Sequence, residues 1–131
     1  MSGRPVHRQP SDRCILLVDD SEMIRILYRK VLRDAGYKVL VAKNGADALR
    51  IADGPEVIDL VMSDYQMPGM SGMDVLKWFN QHRPGLPLML ISASPEHLER
   101  AAGEAPYARR LDKTSNPDEL LTAIECLLDQ R

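Results

Sequence analysis

The chain has 131 residues, of which 44% are hydrophobic, the size and composition of one globular domain with a real core. Its 17 basic and 19 acidic residues give a net charge of -2, which excludes binding to nucleic acid or to an anionic membrane through net charge. Two distant cysteines, Cys14 and Cys126, exclude a disulfide scaffold and predict two reduced, largely buried thiols.

The N-terminal stretch of residues 1–13 carries Arg4, Arg8 and Arg13 and lacks the apolar segment of a signal peptide. We therefore predict a flexible N-terminal tail over residues 1–12 and a folded domain over residues 13–131. No apolar run approaches the roughly 20 residues needed to span a bilayer. A cytoplasmic protein without membrane contact is the expectation.

Short apolar runs alternate with segments of helical period along the rest of the chain. Strands are predicted at residues 14–18, 37–41, 60–63 and 88–92, with a weaker one at 109–111. Helices are predicted after each strand, starting near Ile24, Asn44, Val75, Ser94 and Asn116, the fourth covering residues 96–102. This alternation is typical of βαβ units, so we expect an α/β fold with a doubly wound parallel sheet.

Polar residues follow four of these strands at the point where each strand ends. Asp19 and Asp20 follow the first strand, and either Asp20 or Ser21 could cap the next helix. Two further single residues stand at strand ends, Asp64 after the third and Ser92 at the end of the fourth, and Lys113 comes after the fifth. Because parallel strands end at one edge of a doubly wound sheet, all five side chains should converge there.

Three converging carboxylates repel one another, on the order of 4 kcal/mol per pair at 4 Å and an effective dielectric of 20. A Mg²⁺ ion and Lys113 together would bring the formal charge of the site to zero. A metal, a lysine and a hydroxyl beside a carboxylate suit a phosphoryl group, for which Asp64 is the best candidate nucleophile. We expect the Asp64 carboxylate to be exposed at the mouth of the following loop.

Three segments carry a resemblance to a known family. The segment LLVDDSEMIR resembles the first strand and acidic pair of the response-regulator receiver domain, LVMSDYQMPGMSGMDVL its phosphoacceptor strand and loop, and PLMLISAS its fourth strand. The resemblance implies a flavodoxin-like (βα)5 fold of strand order 2-1-3-4-5, with the receiver domain over residues 13–131.

The resemblance also implies a role for each site residue. Asp64 would accept a phosphoryl group from a phosphohistidine, as 4-aspartylphosphate. Asp20, Asp64 and the backbone carbonyl of Gln66 would bind Mg²⁺, with Asp19 acting mainly through a water molecule. Ser92 and Lys113 would stabilise the phosphoryl group.

Two residues, Gln66 and Ser94, occupy the positions that flank the attacking water in this family. They would help to set the lifetime of the phosphorylated form.

The sequence departs from the family after the fifth strand. Arg110 stands where an aromatic residue is usual, three places before the lysine, and Thr114 stands where proline with a cis peptide bond is usual. A trans bond before Thr114 is expected. We hypothesise that Arg110 moves between solvent and the acidic or phosphorylated site, as a charge-assisted contact that replaces aromatic packing.

The function predicted in this way is a phosphorylation-dependent signalling switch rather than an enzyme. Its partners would be a sensor histidine kinase or a histidine phosphotransfer protein and a downstream protein, without direct contact to nucleic acid. The start at Met1 is compatible with a stand-alone receiver, and the receiver segment of a larger hybrid kinase is an alternative.

An enzyme of another class, a Mg²⁺-dependent phosphatase of the haloacid-dehalogenase type, is the main rival. It would need a second aspartate two residues after the nucleophile, where Gln66 follows Asp64 and Ser21 follows Asp19. A nucleotide-binding module is not supported, because no glycine-rich loop follows any predicted strand. The three histidines, His7, His82 and His97, are predicted to lie on the surface without a metal.

Overall fold

The computed structural model describes residues 12–129, in which five strands alternate with five helices. The strands are β1 (Cys14–Val18), β2 (Lys38–Ala42), β3 (Leu60–Asp64), β4 (Leu88–Ser92) and β5 (Arg109–Asp112). The helices are α1 (Glu22–Asp34), α2 (Gly45–Ala52), α3 (Gly72–His82), α4 (Pro95–Glu104) and α5 (Pro117–Asp129). The tail predicted over residues 1–12 lies, except for its last residue, outside the described residues, and its flexibility stays a prediction.

All five strands are parallel and lie in the order β2-β1-β3-β4-β5, which confirms the predicted fold. Every residue of β1, β3 and β4 is buried, whereas the edge strands β2 and β5 are partly exposed. In the register of the sheet, Val18 pairs with Ser63, Asp64 with Ile91, and Ser92 with Asp112. The carboxyl ends of the strands therefore finish at nearly the same level.

Helices cover both faces of the sheet, as the apolar strands predict. One core joins the sheet to α2, α3 and α4, with Phe79 as its largest fully buried side chain. The other joins it to α1 and α5 through Leu32, Leu120 and Ile124. Because the strands between these cores are fully covered, the polar groups at their ends are held on a rigid platform.

Helix caps settle one question that the sequence leaves open. Ser21 is the N-cap of α1, its hydroxyl accepting from the backbone N–H of Ile24 at 3.3 Å, so Asp20 is not needed for this purpose. Ser94 in the same way caps α4, with Pro95 at the first helical position as predicted. Both helices therefore begin beside the strand ends, where their N-termini favour negative charge.

Some boundaries and one cysteine differ from the predictions. β2 starts one residue late because the N–H of Tyr37 is bonded to the carbonyl of Leu32 in the turn that ends α1. Cys14 is buried, but Cys126 is exposed, so the prediction of two buried thiols was wrong for Cys126. No helix within residues 12–129 is both long enough and apolar enough to cross a membrane.

Candidate functional site

The acidic side chains at the ends of β1 and β3 share one cation. The Nζ of Lys113 lies 3.1 Å from Oδ2 of Asp19 and 3.2 Å from Oδ1 of Asp64. Asp19 is wholly buried and Asp64 is 7% exposed. An ammonium group therefore bridges two buried carboxylates that come from different strands.

Asp20 completes the acidic group from the exposed side. Each of Asp19, Asp20 and Asp64 offers a carboxylate oxygen that lies within 4.8 Å of those of the other two. The sequence predicted this convergence from strand ends alone. Asp20 is exposed, so it is the carboxylate that solvent reaches most easily.

The environment of Asp64 disfavours its charged form. Burial raises the pKa of this carboxyl, the neighbouring Asp19 raises it further, and Lys113 offsets only part of the effect. The pKa of Lys113 is raised as well, which for a lysine favours the charged form. Although burial by itself would lower the pKa of Lys113, the carboxylates of Asp19 and Asp64 raise it above its usual value, so the lysine is firmly cationic.

One oxygen of Asp19 is satisfied and the other is not. Oδ1 accepts from the backbone N–H of Ser21 at 2.9 Å. Oδ2 is buried and faces the Lys113 ammonium, but it accepts no well-directed hydrogen bond. A buried carboxylate oxygen with spare acceptor capacity, beside two further carboxylates, is a donor set that fits a hard divalent cation.

Close chain packing fixes the loop that follows Asp64. A Cβ atom on Gly72 would lie 1.8 Å from the carbonyl oxygen of Asp64, so only glycine allows α3 to start at this place. The N–H of Gly72 donates to the carbonyl of Tyr65 at 2.9 Å. The Asp64 side chain is buried, so the expectation that its carboxylate is exposed at the loop mouth was wrong.

A cleft of about 520 Å³ opens above these groups. It is lined by Asp20, Asp64, Gln66, Met67, Pro68, Ser92, Ala93, Ser94, His97 and Lys113. Six residues named from the sequence as candidates for the site thus lie around one opening: Asp20, Asp64, Gln66, Ser92, Ser94 and Lys113. The buried Asp64 is reached through this cleft.

His97 lies in the site although the sequence predicted a surface histidine. Its Nδ1 is 3.1 Å from the hydroxyl oxygen of Ser92, and its ring stacks on that of Tyr65 at a centroid distance of 4.2 Å. Helical side chains lean toward the N-terminus, so a residue in the first turn of α4 leans toward the end of β4. The position of His97 three residues after the Ser94 cap was the signal that could have identified it.

Arg110 and Thr114 lie away from the cleft lining. Arg110 is exposed, and its Nη1 donates to the carbonyl of Leu98 on α4 at 3.3 Å. Thr114 is fixed by Asp112, which accepts from both its N–H and its hydroxyl. Because no cis peptide occurs within residues 12–129, the bond between Lys113 and Thr114 is trans, as predicted.

The family described as the response regulator receiver domain matches residues 15–125. Among curated proteins, this chain is 33% identical over 133 residues to the transcriptional regulatory protein GlrR of Escherichia coli. It is 35% identical over 115 residues to the transcriptional regulatory protein CpxR of the same species. These alignments cover 99% and 87% of this chain, but 28% and 48% of those proteins, so the chain spans less than half of their length.

Solved structures agree with the sequence comparisons. The response regulator protein TrrA from Thermotoga maritima, in complex with Mg²⁺ and BeF, superimposes with a TM-score of 0.81 at 32% identity. That comparison covers 88% of this chain and 99% of the other. The likeness therefore extends over most of this chain.

Proposed function

The chain belongs to the response-regulator receiver domain family, and on that premise we propose that it is a phospho-accepting switch of a two-component or phosphorelay system. Receiver domains of this family act as signalling switches. The observation that carries the proposal is the buried pair of carboxylates, Asp19 and Asp64, bridged by Lys113 beneath an open cleft.

Asp64 is proposed to be the phosphoryl acceptor. One of its oxygens attacks the phosphorus of a phosphohistidine, the P–N bond breaks, and the imidazole leaves as an acyl phosphate forms on Asp64. Hydrolysis reverses the state, since water attacks phosphorus, the P–O bond to Asp64 breaks, and the carboxylate is restored. Because Asp64 is buried, both the phosphodonor and the attacking water must reach it through the cleft.

The donor set fits Mg²⁺, with the unsatisfied Oδ2 of Asp19 as the structural support. Asp20, Asp64 and the backbone carbonyl of Gln66 would hold the ion, and Asp19 would act mainly through a water molecule. When bound, Mg²⁺ supplies positive charge that offsets the carboxylates and the incoming phosphoryl oxygens.

The remaining polar residues are assigned by their places around the cleft. Lys113 is within reach of the Asp64 carboxylate and would neutralise charge on a phosphoryl oxygen. The Ser92 hydroxyl would donate a hydrogen bond to another oxygen of the phosphoryl group. Gln66 and Ser94, which both line the cleft, would control the approach of water and so the lifetime of the acyl phosphate.

The exposed face of α1 supports docking of a phosphohistidine-bearing helix from a sensor histidine kinase or a histidine phosphotransfer protein. Met23, Ile26 and Leu27 lie three and four residues apart on this helix and are 77%, 64% and 52% exposed. The first of them comes three residues after Asp20. A helix packed on this patch would therefore lie beside the mouth of the site.

A downstream protein rather than nucleic acid is proposed as the target of the switch. Curated relatives are transcriptional regulators more than twice as long as the matched segment. A phosphatase of the haloacid-dehalogenase type gains no support, because Gln66 stands where its second aspartate would be needed.

The proposed chemistry is tested with a small phosphodonor. The protein is incubated with Mg²⁺ and acetyl phosphate, and its intact mass is measured against an Asp64→Asn control. We expect one phosphoryl adduct in the wild type and none in the variant. No adduct in the wild type, or an equal adduct in both, would contradict the proposal, and rapid turnover of many phosphate esters would favour a phosphatase.

A further inference from the structure

The hydroxyl group of Ser92 has two partners in this structure, and neither is in the acidic cluster. Its oxygen accepts from the backbone N–H of Ser94 at 3.1 Å and lies 3.1 Å from Nδ1 of His97. Ser92 is only 3% exposed, so water competes little for these contacts. The orientation of this hydroxyl is therefore set by the two residues of the α4 start that it contacts.

A count of protons shows what these contacts exclude. A serine hydroxyl has one proton to donate, and the N–H of Ser94 already occupies one acceptor position on its oxygen. With a neutral imidazole protonated on Nε2, Nδ1 of His97 accepts that single proton. While this bond exists, Ser92 cannot donate to an oxygen in the cleft.

We propose that His97 is a positioning residue that holds the Ser92 hydroxyl away from the phosphoryl site until Asp64 is phosphorylated. This inference rests on the proposed function. Once a phosphoryl group is present, the Ser92 proton turns to one of its oxygens, because a charged acceptor is stronger than a neutral imidazole. His97 then loses its partner, and the first turn of α4 loses that link to the end of β4.

The surroundings of His97 explain why such an exchange would affect α4. Its ring stacks on Tyr65, the residue next to Asp64, and the carbonyl of the following residue, Leu98, accepts from Arg110 on β5. The first turns of α4 are thus bonded to β4 and to β5 beside the site. A histidine in this turn can transmit the state of Ser92 without the aromatic residue that Arg110 replaces.

Nitrogen NMR of the histidine rings in the full chain tests the proposal directly. Long-range ¹H–¹⁵N spectra are recorded at about pH 8, where imidazoles are neutral, with Mg²⁺ alone and with Mg²⁺ plus beryllofluoride. We expect beryllofluoride to shift Nδ1 of His97 in the direction that Ser92→Ala shifts it, since both remove the same hydrogen bond. His82 is an internal control, because its Nδ1 contacts the carbonyl of Trp78 at 2.9 Å and it lies at the end of α3, outside the cleft lining.

The amide signal of Tyr65 distinguishes the two possible failures. If it changes with beryllofluoride while His97 does not, Asp64 binds the phosphoryl analogue and only the role of His97 is overturned. If neither changes, the proposed function fails and the inference fails with it.

A double-mutant cycle gives a second measurement. Because His97 competes for the Ser92 proton, His97→Leu should tighten beryllofluoride binding by about 2- to 10-fold, and this gain should vanish in a Ser92→Ala background. His97→Asn places an amide oxygen near the position of Nδ1 and should restore the wild-type affinity. An equal effect of His97→Leu in both backgrounds, or an asparagine variant that behaves like leucine, would overturn the proposal.

Discussion

The ammonium group of Lys113 lies 3.2 Å from Oδ1 of Asp64, and the same nitrogen reaches Asp19 at 3.1 Å. This contact links the loop after β5 to the end of β3 across two strand positions of the sheet. It also holds two carboxylates together that would otherwise repel each other in a buried place. Stability and the proposed phosphoryl chemistry should therefore depend on the same lysine.

Replacement of Lys113 by methionine should destabilise the metal-free protein. Removing the cation leaves Asp19 and Asp64 buried beside each other, and the free energy of unfolding should fall by about 3 kcal/mol at neutral pH. Urea denaturation measures this change, and Lys30→Met is the matched control, because its ion pair with Asp34 is exposed on α1. Equal losses in both variants would show that the bridge adds nothing to stability.

Asp64→Asn should stabilise the metal-free protein, with an effect that depends on pH. Because the pKa of Asp64 is raised in the fold, its contribution to stability is complete below the pKa of the unfolded chain and is lost as pH rises through the folded value. The variant should therefore gain over the wild type as pH increases from about 4 toward 7.

Thermal unfolding in this pH range measures the gain, with Mg²⁺ omitted from both samples. Glu125→Gln, at an exposed position in the middle of α5, controls for the loss of one negative charge. A gain that stays constant with pH would mean that the ionisation of Asp64 is not what destabilises the wild type.

Asp20→Ala should weaken Mg²⁺ binding more than Asp19→Ala. Asp20 is exposed and free to turn to an ion, whereas Asp19 is engaged by the N–H of Ser21 and by Lys113. Isothermal titration with Mg²⁺ measures both affinities, and we expect at least a 10-fold loss for Asp20→Ala, about 1.4 kcal/mol. The reverse order would show that Asp19 is the direct ligand.

Ile26→Asp should separate partner docking from chemistry. A charge in the exposed apolar stripe of α1 would lower phosphoryl transfer from a histidine kinase at least 10-fold, because it places an unpaired charge at the interface, about 1.4 kcal/mol or more. Adduct formation from acetyl phosphate should stay unchanged, since Ile26 lies outside the cleft. Val57→Asp is the control, being similarly exposed but on the loop before β3. A kinase that phosphorylates all three proteins equally would remove α1 from the docking surface.

The fold and the acidic site could be predicted because both depend on patterns of local sequence. The apolar runs place Asp19, Asp64 and Ser92 at strand ends, and parallel pairing then brings those ends together. The burial of Asp64 was not predictable in this way, because burial depends on tertiary packing and not on the position of a residue at a strand end. The position of His97 after the Ser94 cap could have placed this residue near the end of β4, but its hydrogen bond with Ser92 also requires the angle at which α4 leaves its cap.

Arg110 should leave α4 when the site is phosphorylated. Its guanidinium is exposed and is held by one neutral acceptor, the carbonyl of Leu98, whereas a phosphoryl group nearby would offer a charged one. A crystal structure with Mg²⁺ and beryllofluoride should show the Arg110 side chain turned from Leu98 toward the site. Arg109, the exposed neighbour on the same strand, should keep its conformation and is the internal control. If Arg110 still donates to Leu98 in that structure, the hypothesis that a charge-assisted contact replaces the aromatic residue is refuted. His97 would then be the remaining candidate for the link between the site and α4.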